Sequence, residues 1–269
     1  MTDVLIVSDL HVNSTVSVCP PAVQLDDGGS YRRSRGQAWL WENWLRLADR
    51  MRQYPGFIAV LNGDLVEGDA KQRSYQVISR NEAGIISTAA AVLAPMLEHA
   101  GPVYVVRGTE AHAGKSGALE ELLACDLGAV EDRDTRKRSR WALYLNIGGV
   151  RLDIAHHANM GGLPWTAPSA AQRLAARVMF EYSDRGDRPP ELAIRSHVHR
   201  WGDSYDAHRT RALFTPAWTL ATAYTHRIAP GAIADVGAVI LHIDGGRVEV
   251  EKFKAEGLKR SWESAKTNS

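Results

Sequence analysis

The chain has 269 residues, of which 45% are hydrophobic and 23% are charged. A chain of this length and composition can bury a sizeable core, which excludes disordered and fibrous proteins and fits one large domain or two small ones. The formal net charge is only +1, from 32 basic and 31 acidic residues, so no overall field indicates nucleic acid or a membrane as a partner.

The first half of the chain alternates between buried strands and amphipathic helices. Continuous apolar runs such as DVLIVSDL predict strands that are covered on both faces. The predicted elements are, in chain order, a strand at 3–10, a polar loop at 12–35, a helix at about 37–53, a strand at 56–64, a helix kinked at its end by Pro95, and a strand at 102–108. This β-α-β-α-β order is typical of a mostly parallel sheet with helices on its faces.

The second half of the chain is richer in short strands and hairpins. Gly148-Gly149 and the Asp244 to Gly246 turn each separate two apolar runs and predict hairpins. The predicted elements are the hairpin at 141–157, a helix at about 168–183, strands at 191–196 and 211–218, and the hairpin at 236–253. We expect a second, more antiparallel sheet, a single two-sheet α/β domain over residues 1–257, and a polar tail at 258–269.

Two cysteines, Cys19 and Cys125, are too few for a disulfide framework, and no CxxC pair is present. The N-terminal segment has no basic leader, and no apolar run is long enough to cross a bilayer. These features predict a soluble cytoplasmic protein without a membrane partner.

Potential metal ligands follow five of the predicted strands. They are Asp9 and His11 after the first strand, Asp64 after the second, Thr109, Glu110 and His112 after the third, His156 after VRLDIA, and His197 and His199 after ELAIR. The carboxyl ends of parallel strands meet at one crevice of an α/β sheet, so these side chains are expected to lie together. His157 can be read either as a neighbour that shapes the site or as a surface residue.

The mixture of carboxylate and imidazole ligands indicates the class of metal. Oxygen and nitrogen donors suit manganese, iron, zinc or similar divalent ions better than a cysteine-rich structural zinc site would. An Asp-x-His pair, a His-x-His pair and Asp64 between them are best explained by two ions that share the Asp64 carboxylate. Two-metal sites of this kind activate water for attack on phosphorus.

The sequence resembles the calcineurin-like metallophosphoesterase family over roughly residues 3–200. The matching segments are DLH, GDLVE, the first His of AHHAN, and HVH, in the family's order. The resemblance implies two stacked mixed β-sheets flanked by helices. It also implies that Asp9, His11, Asp64 and His199 hold one metal, while Asp64, His156 and His197 hold the other.

Two departures from the family pattern stand out. Ser196 replaces a Gly before the His-x-His pair. Thr109 and Glu110 occupy the positions where the family has an Asn metal ligand and a His that protonates the leaving group. We expect either Thr109 or Glu110 to take the ligand place of the Asn. His112, two residues further on, is expected to act as the acid, so that His112 and Asp64 would be the main catalytic residues.

The resemblance implies a phosphoesterase with two divalent ions, for which Mn²⁺ is the first expectation and Fe, Zn, Ni and Mg are alternatives. Arg107 and the loop residues Arg32 and Arg33 are expected to contact the substrate, and RDTRKRSRW at 133–141 is a basic run next to a Trp. These arginines favour a phosphodiester in a nucleotide or nucleic acid. The alternatives are a phosphomonoesterase or a catalytically weak phosphate-binding module.

Overall fold

A computed structural model of the protein describes residues 1–68, 76–158, 167–228, 231 and 235–257. The strands are β1 (Thr2–Val7), β2 (Val23–Gln24), β3 (Ser30–Tyr31), β4 (Phe57–Asn62), β5 (Ala100–Val106), β6 (Ser139–Arg140), β7 (Ala142–Ile147), β8 (Val150–Ala155), β9 (Leu192–Arg195), β10 (Gly202–Asp203), β11 (Arg211–Phe214), β12 (Gly237–Asp244) and β13 (Arg247–Lys254). The helices are α1 (Arg35–Met51), α2 (Glu82–Leu97), α3 (Glu110–Ala113), α4 (Ala118–Asp126), α5 (Ala167–Asp184) and α6 (Ala223–Ile228). The predicted tail at 258–269 lies outside the described residues.

The first sheet has six strands in the order β13-β12-β1-β4-β5-β6. The strands β1, β4, β5 and β6 are parallel, as the β-α-β-α-β pattern predicts. The carboxyl ends of β1, β4 and β5 therefore lie side by side at one edge of the sheet.

The C-terminal hairpin belongs to this first sheet. The expectation that the strands of the second half of the chain form the second sheet is therefore wrong for β12 and β13. Strand β12 pairs antiparallel with β1, from Thr2 opposite Ile243 to Ile6 opposite Val239. Seven of its eight residues are at least partly buried, so β12 requires neighbours on both edges and cover on both faces. Strand β13, whose residues are mostly half-buried or exposed, forms the edge.

The second sheet has five strands in the order β10-β11-β9-β8-β7. The pairs β10–β11 and β7–β8 are antiparallel, whereas β9 pairs in parallel with both β8 and β11. The sheet is therefore mixed rather than mainly antiparallel, and the carboxyl ends of β8 and β9 lie together.

The two sheets pack face to face, and helices cover their outer faces. Apolar residues of β1, β4 and β12 contact those of β8, β9 and β11 in one buried cluster, which includes Ile6, Val60 and Ile194. Helices α1, α2 and α4 pack on the other face of the first sheet, and α5 packs on the other face of the second sheet. The fold is thus the four-layer αββα arrangement that the sequence predicted.

Local signals set the beginnings of the first two long helices. Ser34 caps α1 in a reciprocal pair with Gln37, and the Asn81 side chain accepts hydrogen bonds from the first turn of α2. Pro95 lies in the last turn of α2, which ends two residues later. Among the described residues, no helix is both long and apolar enough to span a membrane.

Candidate metal centre

Five of the predicted ligands have left-handed backbone conformations. The φ angles are 51° at Asp9, 44° at His11, 50° at Asp64, 71° at His197 and 54° at His199. A non-glycine residue in this region carries a conformational cost, and such residues concentrate at functional sites. The strand-end loops therefore bend sharply at the positions whose side chains turn into the crevice.

The first group of converging donors consists of Asp9, His11 and His199. His11 Nε2 lies 3.2 Å from His199 Nε2, and His199 Nε2 lies 3.1 Å from Asp9 Oδ1. The third separation, from His11 Nε2 to Asp9 Oδ1, is 3.9 Å. Donor atoms bound to one ion at about 2.0–2.2 Å lie roughly 3–4 Å apart, so the three atoms have the spacing of a metal site.

The second group consists of Asp64, His156 and His197. Asp64 Oδ2 lies 3.1 Å from His156 Nε2 and 3.9 Å from His197 Nδ1. Asp64 also belongs to a third group, with His11 and His112. The Asp64 carboxylate thus lies between the histidines of both groups, where a bridging ligand would have to be.

Two buried atoms of these groups have no hydrogen-bond partner. Asp9 Oδ1 and His156 Nε2 are both buried without one, although each lies near other donor atoms. Nδ1 of the His156 ring lies 2.7 Å from the carbonyl oxygen of Asn62. Because a carbonyl oxygen only accepts, Nδ1 donates this hydrogen bond and directs Nε2 towards Asp64. Nε2 is the atom with which the ring can bind a metal ion when it releases its proton. The residues present therefore fit a divalent ion in each group.

The electrostatics of the site favour a cation. Burial disfavours a charge on His156, but the carboxylates of Asp9 and Asp64 outweigh it and raise the pKa of His156 to about 9. Burial also opposes a charge on Asp64, yet the neighbouring histidines hold its pKa well below the ordinary value. The crevice is thus a place where buried carboxylates attract a proton or a metal ion.

Glu67 binds the imidazole that the sequence predicted as the acid. His112 Nδ1 lies 2.7 Å from Glu67 Oε2, and the His112 side chain is 32% exposed. Burial disfavours a charge on either residue, but their hydrogen bond raises the pKa of His112. Hydrogen bonds from His11 and His112 lower the pKa of Glu67 to about 2. His112 is thus a partly exposed imidazole with a raised pKa, in a donor group with His11 and Asp64.

Thr109 and Glu110, the two candidates for the remaining ligand place, point in different directions. Thr109 Oγ1 lies 3.0 Å from Asp64 Oδ1, and its backbone N–H donates to the same oxygen. Glu110 Oε1 accepts a hydrogen bond from the N–H of Ser116 at the exposed surface. Of the two, only the Thr109 hydroxyl lies beside the Asp64 carboxylate, and Glu110 is in none of the three donor groups.

Glu120, on α4, was missed by sequence reasoning. Its fully buried carboxylate accepts hydrogen bonds from the N–H of Leu65 and the N–H of Gly108, the residues that follow Asp64 and precede Thr109. Burial and the charge of Asp64 raise the pKa of Glu120 to about 7. The signal in the sequence was a carboxylate on the same helix face as Leu123 and Ala124.

A chain of buried side-chain hydrogen bonds links the bases of the ligand loops. Asn62 Nδ2 donates to Ser196 Oγ at 2.6 Å, Ser196 Oγ lies 2.7 Å from Thr215 Oγ1, and Thr215 Oγ1 lies 2.7 Å from Ser8 Oγ. Asn62, Ser196 and Ser8 directly precede Gly63-Asp64, His197 and Asp9 in the chain. Ser196, the departure from the family's Gly, therefore supplies the hydroxyl that joins Asn62 to Thr215.

Of the arginines predicted to bind substrate, Arg107 contacts residues outside the donor groups. Arg107 donates to Ser139 Oγ and stacks over the Trp141 ring, and Arg32 is exposed. Arg33 NH1 is buried without a hydrogen-bond partner. In the basic run at 133–141, Arg138 and Arg140 bind the carbonyl oxygens of Ala129 and Val130, so part of the run holds its own loop in place.

Solved structures provide a comparison for this fold and site. A dimetal phosphatase from Danio rerio is similar over 95% of this chain and 96% of its own, with a TM-score of 0.52 and 11% sequence identity. The chain has the calcineurin-like metallophosphoesterase fold. The fold predicted from the sequence is therefore confirmed.

A second solved structure to which the chain is similar is Vps29 complexed with Zn²⁺ from Entamoeba histolytica. It has 13% identity and a TM-score of 0.44, over 95% of this chain and 100% of its own. That superposition is too loose to support an argument about this protein. No protein-family model matches the sequence, and no curated protein matches it.

Proposed function

We propose that this metallophosphoesterase-fold protein is an enzyme that hydrolyses phosphodiesters with two divalent metal ions, of which Mn²⁺ is the first to test. The observation that supports this most strongly is the convergence of two Asp-and-His groups with Asp64 between them. When bound, such a pair of ions neutralises the phosphoryl oxygens and acidifies a water molecule for attack on phosphorus. Asp9, His11, Asp64 and His199 would hold one ion, and Asp64, His156 and His197 the other.

His112 is proposed to protonate the departing oxygen. Glu67 binds Nδ1 of the ring at 2.7 Å and raises the pKa of His112, which favours the protonated ring that an alkoxide leaving group needs. The partly exposed position of His112 gives a substrate access to that proton. A diester depends on such an acid when its leaving group is a poor one, and this favours a phosphodiester over an aryl monoester.

The position of Thr109 supports a second candidate function. Its hydroxyl lies within hydrogen-bond distance of both Asp64 oxygens, at the place where the family has an Asn ligand. If Thr109 does not complete the second site, the protein is a weak hydrolase or a phosphate-binding module. Metal content separates these functions, because the enzyme is expected to bind about two ions per chain.

The test of the proposed function is Asp64→Asn. We expect the variant to bind fewer metal ions than any other single ligand variant and to lose nearly all hydrolysis of bis(p-nitrophenyl) phosphate, because one change removes a charge from both sites. The measurements are elemental analysis after loading with Mn²⁺ and the rates on matched aryl diester and monoester substrates.

Two results would argue against the proposal. Two bound metals and near-normal turnover in Asp64→Asn would show that Asp64 is not a bridging ligand. Faster hydrolysis of the aryl monoester than of the diester by the wild-type protein would replace the phosphodiesterase with a phosphomonoesterase.

A further inference from the structure

A cleft of 460 Å³ lies beside the second metal group, between the ends of β8 and β9 and helix α5. Its lining includes His157, Arg173, Leu174, Arg177, His197 and Phe214. His197 belongs both to the cleft and to the group with Asp64 and His156, so the cleft is continuous with the candidate metal centre. Its volume lies in the range of about 300–1,000 Å³ that accommodates small-molecule ligands.

The titratable residues that line the cleft are two arginines and two histidines. Arg173 and Arg177 are four residues apart on α5 and so lie on one face of the helix, and the described lining residues include no carboxylate. The interactions that these arginines make with other side chains are weak. Arg173 donates to the Ser169 hydroxyl at 2.9 Å, and Arg177 faces Glu181 at 3.4 Å with both side chains more than half exposed. An exposed pair of this kind exchanges partners at little cost.

The remaining walls of the cleft are rings and apolar side chains. The rings of His157 and His197 lie 5.4 Å apart with an interplanar angle of 34°. Leu174 and Phe214 supply apolar surface. The cleft thus combines two guanidinium groups with surface suited to a sugar or a base.

We propose that this cleft binds a second phosphate group of the substrate, next along the molecule to the phosphate at the metal centre. The inference rests on the proposed function. Arginine is the side chain best suited to phosphate, because its planar fork donates two parallel hydrogen bonds. Two sources share this chemistry: a pyrophosphate-linked nucleotide, and an oligonucleotide whose neighbouring phosphate enters the cleft.

The first experiment compares substrates with one phosphate and with two. The substrates are bis(p-nitrophenyl) phosphate, a dinucleoside diphosphate and a 5′-phosphorylated dinucleotide, tested on the Mn²⁺-loaded protein. In Arg173→Ala with Arg177→Ala, we expect the kcat/KM of a two-phosphate substrate, relative to the one-phosphate substrate, to fall about 10-fold or more, as expected for lost hydrogen bonds to a charged group. Arg185→Ala, an exposed arginine just beyond α5, is the control and should leave this ratio unchanged.

The substrate that responds identifies the source of the second phosphate. A fall confined to the dinucleoside diphosphate indicates a pyrophosphate substrate, and a fall confined to the dinucleotide indicates an oligonucleotide. The inference would be overturned if the kcat/KM of the two-phosphate substrates relative to the one-phosphate substrate were equal in the double variant, Arg185→Ala and wild type. That result would leave the proposed phosphoesterase activity intact.

Binding to the metal-free protein provides a readout that does not depend on hydrolysis. Isothermal titration with ADP and with AMP should show tighter binding of ADP, and the double arginine variant should lose this preference. If ADP preference depends on the arginines but no substrate is hydrolysed, the cleft binds phosphate and the proposed function fails. If the wild-type protein shows no preference for ADP, the inference fails.

Discussion

At the scale of single residues, the candidate metal ligands are held in place by neighbouring side chains that hydrogen-bond to them. Glu67 Oε2 lies 3.5 Å from His11 Nδ1 and 2.7 Å from His112 Nδ1. One carboxylate therefore orients a histidine of the first donor group and the predicted acid together. The rings of His11 and His112 meet edge to face at 4.5 Å, so their positions depend on one another.

This arrangement leads to a prediction for His112. His112→Ala should leave both metals bound but slow turnover by roughly 10²–10⁴-fold, the usual contribution of a positioned general acid. The loss should be large for alkoxide leaving groups and small for nitrophenolate, which leaves without a proton. The measurement is the rate as a function of leaving-group pKa, with metal content determined on the same samples.

Glu110→Ala, on the same short helix α3, is the comparison for His112→Ala. Because Glu110 binds the N–H of Ser116 at the surface, this variant should keep its metal content and its dependence on leaving-group pKa. Parallel leaving-group dependences in wild type and His112→Ala would remove His112 as the acid. Loss of metal in His112→Ala would make it a ligand of the group that it forms with His11 and Asp64.

At the scale of elements, the loops after the strands act as a connected unit. The loop after β1 continues to pair with the loop after β4, because the N–H groups of Asp9 and His11 donate to the carbonyls of Gly63 and Asp64. A side chain at Gly108 would put its Cβ 2.2 Å from the Asp64 backbone nitrogen. The glycine before Thr109 is thus required by the close approach of the two loops.

Glu120→Gln tests whether α4 positions these loops. An amide offers one acceptor where the carboxylate now accepts from both Leu65 and Gly108, so a buried N–H would be left without a partner at a cost of about 1–3 kcal/mol. We expect weaker Mn²⁺ affinity, by about 10-fold, and partial recovery of the rate in excess Mn²⁺.

The matched control for Glu120→Gln is Glu121→Gln, one residue further along α4. Glu121 binds Ser139, the N–H of Arg138 and the Arg107 side chain, but not the backbone N–H groups of Leu65 and Gly108. Its replacement should therefore lower stability without changing Mn²⁺ affinity. Equal Mn²⁺ affinities in wild type and Glu120→Gln would show that Glu120 stabilises the fold but does not position the metal ligands.

The sequence predicts those parts of the fold and site that depend on local patterns. Apolar runs fix the strands, and Asp or His directly after a run fixes which side chains reach the crevice. The pairing of β12 with β1 is not local, since Thr2 and Ile243 lie at opposite ends of the chain. The hydrogen bonds of Glu120 and of the Ser8, Thr215 and Ser196 hydroxyls are also not local, because their partners are set by how the layers pack.

At the scale of the whole molecule, each metal group draws residues from both sheets. Asp9 and His11 follow β1 of the first sheet, and His199 follows β9 of the second. Asp64 follows β4, whereas His156 and His197 follow β8 and β9. The geometry of the site therefore depends on how one sheet sits on the other, which the shared apolar core fixes.

Asp203, on the edge strand β10 of the second sheet, takes part in ion pairs that also connect the two sheets. Asp203 on β10 accepts from Arg211 on β11 at 2.8 Å and from Lys252 on β13 at 2.6 Å. The first contact lies within the second sheet, and the other reaches the edge strand of the first sheet. The largely buried Asp203 carboxylate thus connects the C-terminal hairpin to the sheet that carries His197 and His199.

The C-terminal hairpin is also joined to β1 by a titratable contact, which leads to a prediction about pH and stability. His242 on β12 lies 2.6 Å from Asp3 on β1 through Nδ1 and 3.3 Å from Glu251 on β13 through Nε2. The other groups that face this cluster are Arg50, which pairs with Glu251, and the ring of Tyr54. Burial opposes a charge on the ring, but the two carboxylates prevail and raise the pKa of His242 above its ordinary value.

Because the pKa of His242 is raised in the folded protein, the charged ring stabilises the fold fully below the unfolded value of about 6.5. This contribution disappears as the pH rises through the folded pKa. His242→Gln should therefore lower Tm more at about pH 6 than at about pH 9, measured by thermal unfolding of the metal-free protein. Arg50 remains as a partner for Glu251 in the variant, so the change reports mainly on the ring and Asp3. Equal losses of Tm at the two pH values would mean that the neutral ring stabilises the hairpin as well as the charged one does, and that its contribution is packing.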